Sequence, residues 1–185
     1  MISRMKKQEE IKLSKYLSLI LRHQPELAQV QPDASGWVAI DELLRGLNHD
    51  GRRLTREDLD YIVENSDKQR FAISDDGKMI RANQGHTYEV DLGLEPEEPP
   101  ALLYHGTAKR FLPSIFQNGV HRGSRHHVHL STREETAVSV GKRHGNPIVL
   151  IVDSGRMYNE GYQFFRSANG IWLTEHVPAK FVRLP

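Results

Sequence analysis

The chain has 185 residues, 38% of them hydrophobic and 26% charged, with a formal net charge of +1; its apolar residues fall in ordered clusters, the pattern of a folded chain with one large or two small cores. It contains no cysteine, which excludes disulfides, thiolate zinc sites and cysteine nucleophiles and fits a reducing compartment. The N-terminus shows no signal-peptide apolar region, and no apolar run approaches the roughly 18 residues that a membrane span needs, so a soluble, cytoplasmic protein with no membrane partner is expected.

In chain order, Leu13, Tyr16, Leu17, Ile20 and Leu21 recur at helical spacing and predict an amphipathic helix. Pro25 disfavours helical geometry at Gln24, so that helix should end near His23. Arg22 then falls opposite the apolar stripe and His23 on its flank, both directed away from the core. A second helix is predicted over Ile40 to Leu47. A third opens at Thr55, with Asp58 three residues on in a capping-box-like start, followed by Leu59, Ile62 and Val63. RFAISDDGKMIRA predicts two short strands around an Asp-Gly turn. Three helices followed by a hairpin point to a winged-helix lobe over residues 1–90.

Residues 91–100, DLGLEPEEPP, hold three prolines and four acids and read as a linker. Charge divides there: residues 1–90 carry 14 Lys and Arg against 15 Asp and Glu, whereas residues 101–185 carry 11 against 5. The second part is the one suited to polyanions. It is expected to form strands at Leu102–His105, Val128–Ser131, Ile148–Val152, Gln163–Arg166, Ile171–Thr174 and Lys180–Leu184. Asn169-Gly170 predicts a type I′ hairpin between two of them. Helices are expected from Phe111 to Asn118, stopped by Gly119 in the αL conformation, and from Thr132, capped with Glu135 at N3, to His144. The fold class is α+β, with the second lobe on a mainly antiparallel sheet.

Several side chains could carry chemistry. Arg22 and His23 suit the negative pole of a helix end as solvated cations, and gain interest only from what else the chain offers. Arg70 and Arg125 each precede a strand, where a guanidinium is either solvated or grips two phosphate oxygens. In YHGT, Gly106 permits close backbone approach to a ligand, and His105 and Thr107 add a ring nitrogen and a hydroxyl. In HHVHLS, strand alternation puts His127 and His129 on one face; a metal is disfavoured because no third ligand has suitable spacing, and a nucleotide-facing strand fits better. GxGxxG, GxxxxGK[ST] and a nucleophile elbow are all absent, so any dinucleotide must be held without a Rossmann or P-loop cradle.

Taken in order, LILRHQPE, GWVAIDELL, DKQRFAIS, GKMIRANQGH, LYHGT, RHHVHLS, VGKRHGNPIVL and NGIWLT resemble the RNA 2′-phosphotransferase family, known first from tRNA splicing, from about Leu13 to the end of the chain. The resemblance implies a winged-helix RNA lobe followed by an ADP-ribosyltransferase-like lobe on a split sheet, with NAD as co-substrate, 2′-phosphorylated, tRNA-like RNA as partner, no metal, and a monomer. It implies a catalytic set of Arg22, His23, Arg70 and Arg125. NAD binding would fall to His105, Gly106, Thr107, His129 and Ser131, with Arg143 near the pyrophosphate. Ile171 stands where many ADP-ribosyltransferases place a glutamate, a gap this RNA-directed family shares. The implied reaction passes the 2′-phosphate to NAD through an RNA-2′-phospho-ADP-ribose intermediate, giving 2′-OH RNA, ADP-ribose 1″,2″-cyclic phosphate and nicotinamide. Three guanidiniums would offset the repulsion between a phosphomonoester, its neighbouring diester and NAD. The alternative is an ADP-ribosyltransferase acting on nucleic-acid terminal phosphates or protein, which shares only the first step.

Overall fold

The stripe that begins at Leu13 forms α1 (Lys7–Arg22), which buries Leu17, Ile20 and Leu21. The computed structural model describes residues 6–49, 54–66 and 68–185; Asp67, which opens the DKQRFAIS string, lies outside the described residues. The chain divides into two units, Met1–Gly93 and Leu94–Pro185.

In the first unit, α1 stops at His23 ahead of Pro25, as its geometry requires. A 3-10 turn at Pro25–Ala28 follows, then β1 (Val38–Ala39), α2 (Ile40–His49) and α3 (Arg56–Glu64). The capping box is present: Asp58 N donates to Thr55 Oγ1 at 3.2 Å and Thr55 N to Asp58 Oδ2 at 3.1 Å. Next come β2 (Phe71–Ile73) and β3 (Met79–Ala82), an antiparallel hairpin. Gly77 turns it at φ 72°, with its N–H on the Ser74 carbonyl at 2.8 Å. The strand β1 was not foreseen, since two residues carry no alternation; it pairs antiparallel with the other edge of β3. Helices and sheet close over one core that includes Leu17, Leu43, Leu59 and Ile80, each side chain contributing about 2 kcal/mol on burial.

The second unit opens with Pro96 bridged to Phe165 and with Ser154 Oγ donating to the Pro100 carbonyl, so the acidic, proline-rich segment is tied to this unit from Pro96 onward. Its elements are β4 (Leu103–Ala108), α4 (Leu112–Asn118), β5 (Val120–His121), β6 (Val128–Leu130), α5 (Glu134–Gly141), β7 (Pro147–Val152), α6 (Ser154–Asn159), β8 (Phe165–Arg166), β9 (Trp172–Thr174), β10 (His176–Val177) and β11 (Val182–Arg183). They build two three-stranded sheets, ordered β11-β7-β4 and β6-β9-β8, and a small β10-β5 pair. Every pairing is antiparallel. The two larger sheets meet at a single bridge, Tyr104 to Ser131. The fold is α+β on antiparallel sheets.

Three local expectations need correction, and one helix was not foreseen. The helix expected from Thr132 starts at Glu134, and Glu135 takes no part in a cap; instead Ser131 Oγ accepts from Arg133 N at 3.0 Å. Gly119 does end α4 at positive φ, but its ψ of −173° is extended rather than αL. The Asn169-Gly170 turn is not type I′, because Asn169 does not have positive φ. Gly170 alone does, at 77°, and its N–H closes a turn on the Ser167 carbonyl at 2.8 Å, as in a type I turn followed by a left-handed glycine. Finally, α6 was missed.

Candidate active site

In the first unit, residues far apart in sequence gather at the C-terminal end of α1. Arg22 is half-buried rather than solvated, and its Nη2 reaches the Arg70 carbonyl at 3.5 Å. Arg70 leaves a sharp turn: Gln69, directly before it, has φ 39°, a left-handed conformation that a non-glycine side chain adopts at a cost. Buried Ser66 receives Arg70 Nη1 at 3.4 Å, and the Arg70 carbonyl also accepts from Asn83 N at 2.9 Å. His23 caps α1 and is exposed. Its Nδ1 lies 3.2 Å from Thr87 Oγ1. The carbonyls of the last helical turn, which lack intrahelical donors, are met by Thr87 N on Arg22 O at 2.9 Å and by Tyr88 Oη on Leu21 O at 2.7 Å. Three of the cationic side chains expected to act on phosphate, Arg22, His23 and Arg70, thus share one neighbourhood.

In the second unit, His105 Nδ1 stands 3.1 Å from the His129 carbonyl. A carbonyl only accepts, so His105 carries its proton on Nδ1 and a lone pair on Nε2. Burial pulls the His105 ring below its ordinary pKa, outweighing the bond to the His129 carbonyl; nearby His144 and Arg125 push the same way as burial. Arg125 Nη1 meets His129 Nδ1 at 3.1 Å. A guanidinium only donates, so His129 has its lone pair on Nδ1 and its proton on Nε2. The two rings therefore offer complementary atoms, an acceptor at His105 Nε2 and a donor at His129 Nε2. Desolvation, and after it the charge of Arg143, lowers the Arg125 pKa. His105, Arg125, His129 and Arg143 come from three separate stretches of sequence and form one group whose positive charge lies on the two guanidiniums.

Gly106 and Thr107 face a different demand. A Cβ on Gly106 would stand 1.7 Å from the Ala137 carbonyl oxygen, and one on Gly141 would stand 2.6 Å from the Thr107 carbonyl oxygen. The close approach that Gly106 permits in this structure is therefore to the backbone of α5. Thr107 is buried. Ser131 exchanges backbone bonds with Tyr104 at 2.8 and 2.9 Å, beside His105, while its hydroxyl receives Arg133 N. Among the described residues, no group of three His, Asp or Glu is arranged to hold a metal, and no helix is long and apolar enough to cross a membrane. Two contributors escaped the sequence reading. Thr87 had no signal, because a hydroxyl that bonds a helix end 64 positions earlier leaves no local pattern. His144 sat beside Arg143 in VGKRHG, where only the arginine was singled out.

Residues 8–176 match the protein family described as RNA 2'-phosphotransferase, Tpt1 / KptA family. The chain is 52% identical over 171 residues to a protein of Pseudomonas aeruginosa (strain UCBPP-PA14) named Probable RNA 2'-phosphotransferase, covering 92% of this chain and 94% of that one. A protein of the same name from Streptomyces coelicolor (strain ATCC BAA-471 / A3(2) / M145) is 48% identical over 181 residues, 98% of each chain. Another, from Acaryochloris marina (strain MBIC 11017), is 50% identical over 169 residues, 91% of this chain and 93% of that one. With a family match spanning most of its length and relatives this similar from end to end, the chain belongs to the RNA 2′-phosphotransferase family.

Proposed function

We propose that this protein is an NAD-dependent RNA 2′-phosphotransferase, acting as a cytoplasmic monomer on 2′-phosphorylated, tRNA-like RNA. Its first unit would serve as a winged-helix RNA lobe and its second as an ADP-ribosyltransferase-like lobe. The observation that carries this is the cationic group in the second unit: Arg125 on His129, His129 on His105, with Arg143 close enough to Arg125 to depress its pKa. Like charges held this close favour an anion between or beside them. The donor set suits NAD beside a phosphate: the Arg143 guanidinium for the pyrophosphate, that of Arg125 for the transferred phosphate, and a neutral imidazole acceptor beside an imidazole donor for ribose hydroxyls.

NAD would supply an electrophilic ribose carbon with nicotinamide as its leaving group. The protein's own part is to bind, orient and neutralise. Arg22 and Arg70 position the RNA 2′-phosphate so that its oxygen is directed at that carbon. Arg125 offsets the charge that builds on phosphorus while the phosphate passes from RNA to the ribose 2″-oxygen. His23 contacts the phosphate in that second step, as a charge-assisted donor or by moving a proton. No protein nucleophile is required, in keeping with a chain that has no cysteine.

The test is to incubate the protein with a 2′-phosphorylated oligonucleotide, with and without NAD, and to resolve the products. Loss of the 2′-phosphate only with NAD, together with ADP-ribose 1″,2″-cyclic phosphate, is expected. Free phosphate released without NAD, or an ADP-ribosylated RNA that never resolves, refutes the proposal.

A further inference from the structure

Thr87 turns both of its polar groups to the end of α1. Its backbone N–H donates to the Arg22 carbonyl at 2.9 Å. Its Oγ1 lies 3.3 Å from that same oxygen and 3.2 Å from His23 Nδ1. A carbonyl oxygen can only accept, and a hydroxyl has one proton to give. With that proton on the Arg22 carbonyl, Oγ1 can only accept from the ring, so the hydrogen must be on Nδ1. We infer that Thr87 is a positioning residue for His23: it selects the Nδ1–H tautomer and so makes Nε2 the nitrogen through which His23 meets the RNA phosphate. This rests on the role proposed above for His23.

The hydroxyl can be removed without undoing the segment that carries it. Thr87 N on Arg22 O and Tyr88 Oη on Leu21 O do not involve Oγ1, and Thr87 is exposed, where valine fits in place of threonine. The same arrangement also suits a protonated ring, since an imidazolium still donates from Nδ1. Only the neutral Nε2–H form is disfavoured, because it would compete with Arg22 O for the hydroxyl proton.

The test is long-range proton–nitrogen correlation on the full chain labelled with ¹⁵N-histidine, with the His23 signals assigned from their loss in His23→Gln. Wild type should show a protonated Nδ1 and a pyridine-like Nε2 in the neutral ring. Thr87→Val should shift His23 toward the opposite tautomer and lower kcat for phosphate transfer roughly 10- to 100-fold, the scale of losing an orienting partner of a reactive imidazole, with little change in KM for RNA. Thr87→Ser should restore both. A pyridine-like Nδ1 in wild type, or a tautomer unchanged by Thr87→Val, overturns the inference. Should the tautomer be as inferred while wild type transfers no phosphate to NAD, the proposed function fails and the role of Thr87 in holding His23 stands.

Discussion

Replacing Gly106 by alanine tests how β4 and α5 are held together. The added Cβ would lie 1.7 Å from the Ala137 carbonyl oxygen, 2.6 Å from its carbon and 3.0 Å from its Cα, whereas ordinary contacts begin near 3.4 Å. All three obstructing atoms are backbone, so no side chain can swing aside; strand and helix must part by well over an ångström. Parting them also opens the reciprocal contact of Gly141 with the Thr107 carbonyl and forfeits the dispersion attraction along the interface. Overpacking of one methyl usually costs about 1–3 kcal/mol, and a clash on rigid backbone belongs at or above the top of that range. A loss of about 3 kcal/mol should lower the melting point of a unit this size by roughly 12 °C or more. Trp172, buried on β9, reports on this unit by fluorescence in a Trp37→Phe background. Gly170→Ala is the control: nothing lies within 4 Å of its Cβ, but its φ is +77°, so it should cost about 1 kcal/mol of backbone strain. A Gly106→Ala protein that melts with the Gly170→Ala control would refute the requirement for a bare backbone at position 106.

The folded pKa of His105 lies below the ordinary 6.5, chiefly through burial, so the unfolded chain takes up the proton more readily. Its contribution to stability should be present above about pH 6.5 and lost as pH falls toward the folded pKa; His105→Asn should flatten that acid limb in urea titrations, and an unchanged limb counts against it. Burial pushes the Tyr88 hydroxyl up to about 12 from 10.0, which reverses the direction. Unfolded Tyr88 ionises first, so stability should fall as pH rises between those values; Tyr88→Phe should remove that fall, at a cost of about 1 kcal/mol near neutrality for the bond to Leu21. Under the proposed function, Arg125→Ala should slow the second step roughly 100-fold and accumulate branched RNA-2′-phospho-ADP-ribose. Arg125→Lys should recover only part of the rate, since a point charge cannot replace a planar fork; gel analysis of labelled RNA separates this from a simple loss of NAD binding.

The helices of the first unit were legible because their signals are local and redundant. The stripe from Leu13 to Leu21, the break imposed by Pro25 and the box of Thr55 with Asp58 each act within a turn or two. What escaped depends on distant partners. The six residues of α6 include Ser, Gly and Asn, poor helix formers. It forms because Asp153 caps Arg156 N and because Ser154 and Gly155 bond to Pro100 and Ala101. The strands β1, β5 and β10 have two residues each, too short for a period of two to show. At the site, residue types were readable but their neighbours were not. The contact between Arg22 and the Arg70 carbonyl spans 48 positions. Gly106 was legible as a point of close approach, though not that its neighbour is a helix.

The clasp on α1 sets an order of assembly. The helix itself can form from contacts a few residues apart, but its last carbonyls wait for Thr87 and Tyr88, 65 and 67 positions downstream. Closing a loop of that span costs about 4 kcal/mol in chain entropy, which only a sheet and core already in place can offset. During synthesis, Arg22 and His23 leave the ribosome early yet acquire their final setting only once the hairpin is complete and the irregular segment behind it, which carries Thr87 and Tyr88, has folded back. A chain shortened before residue 87 would keep the helix and lose the fixed geometry at its end.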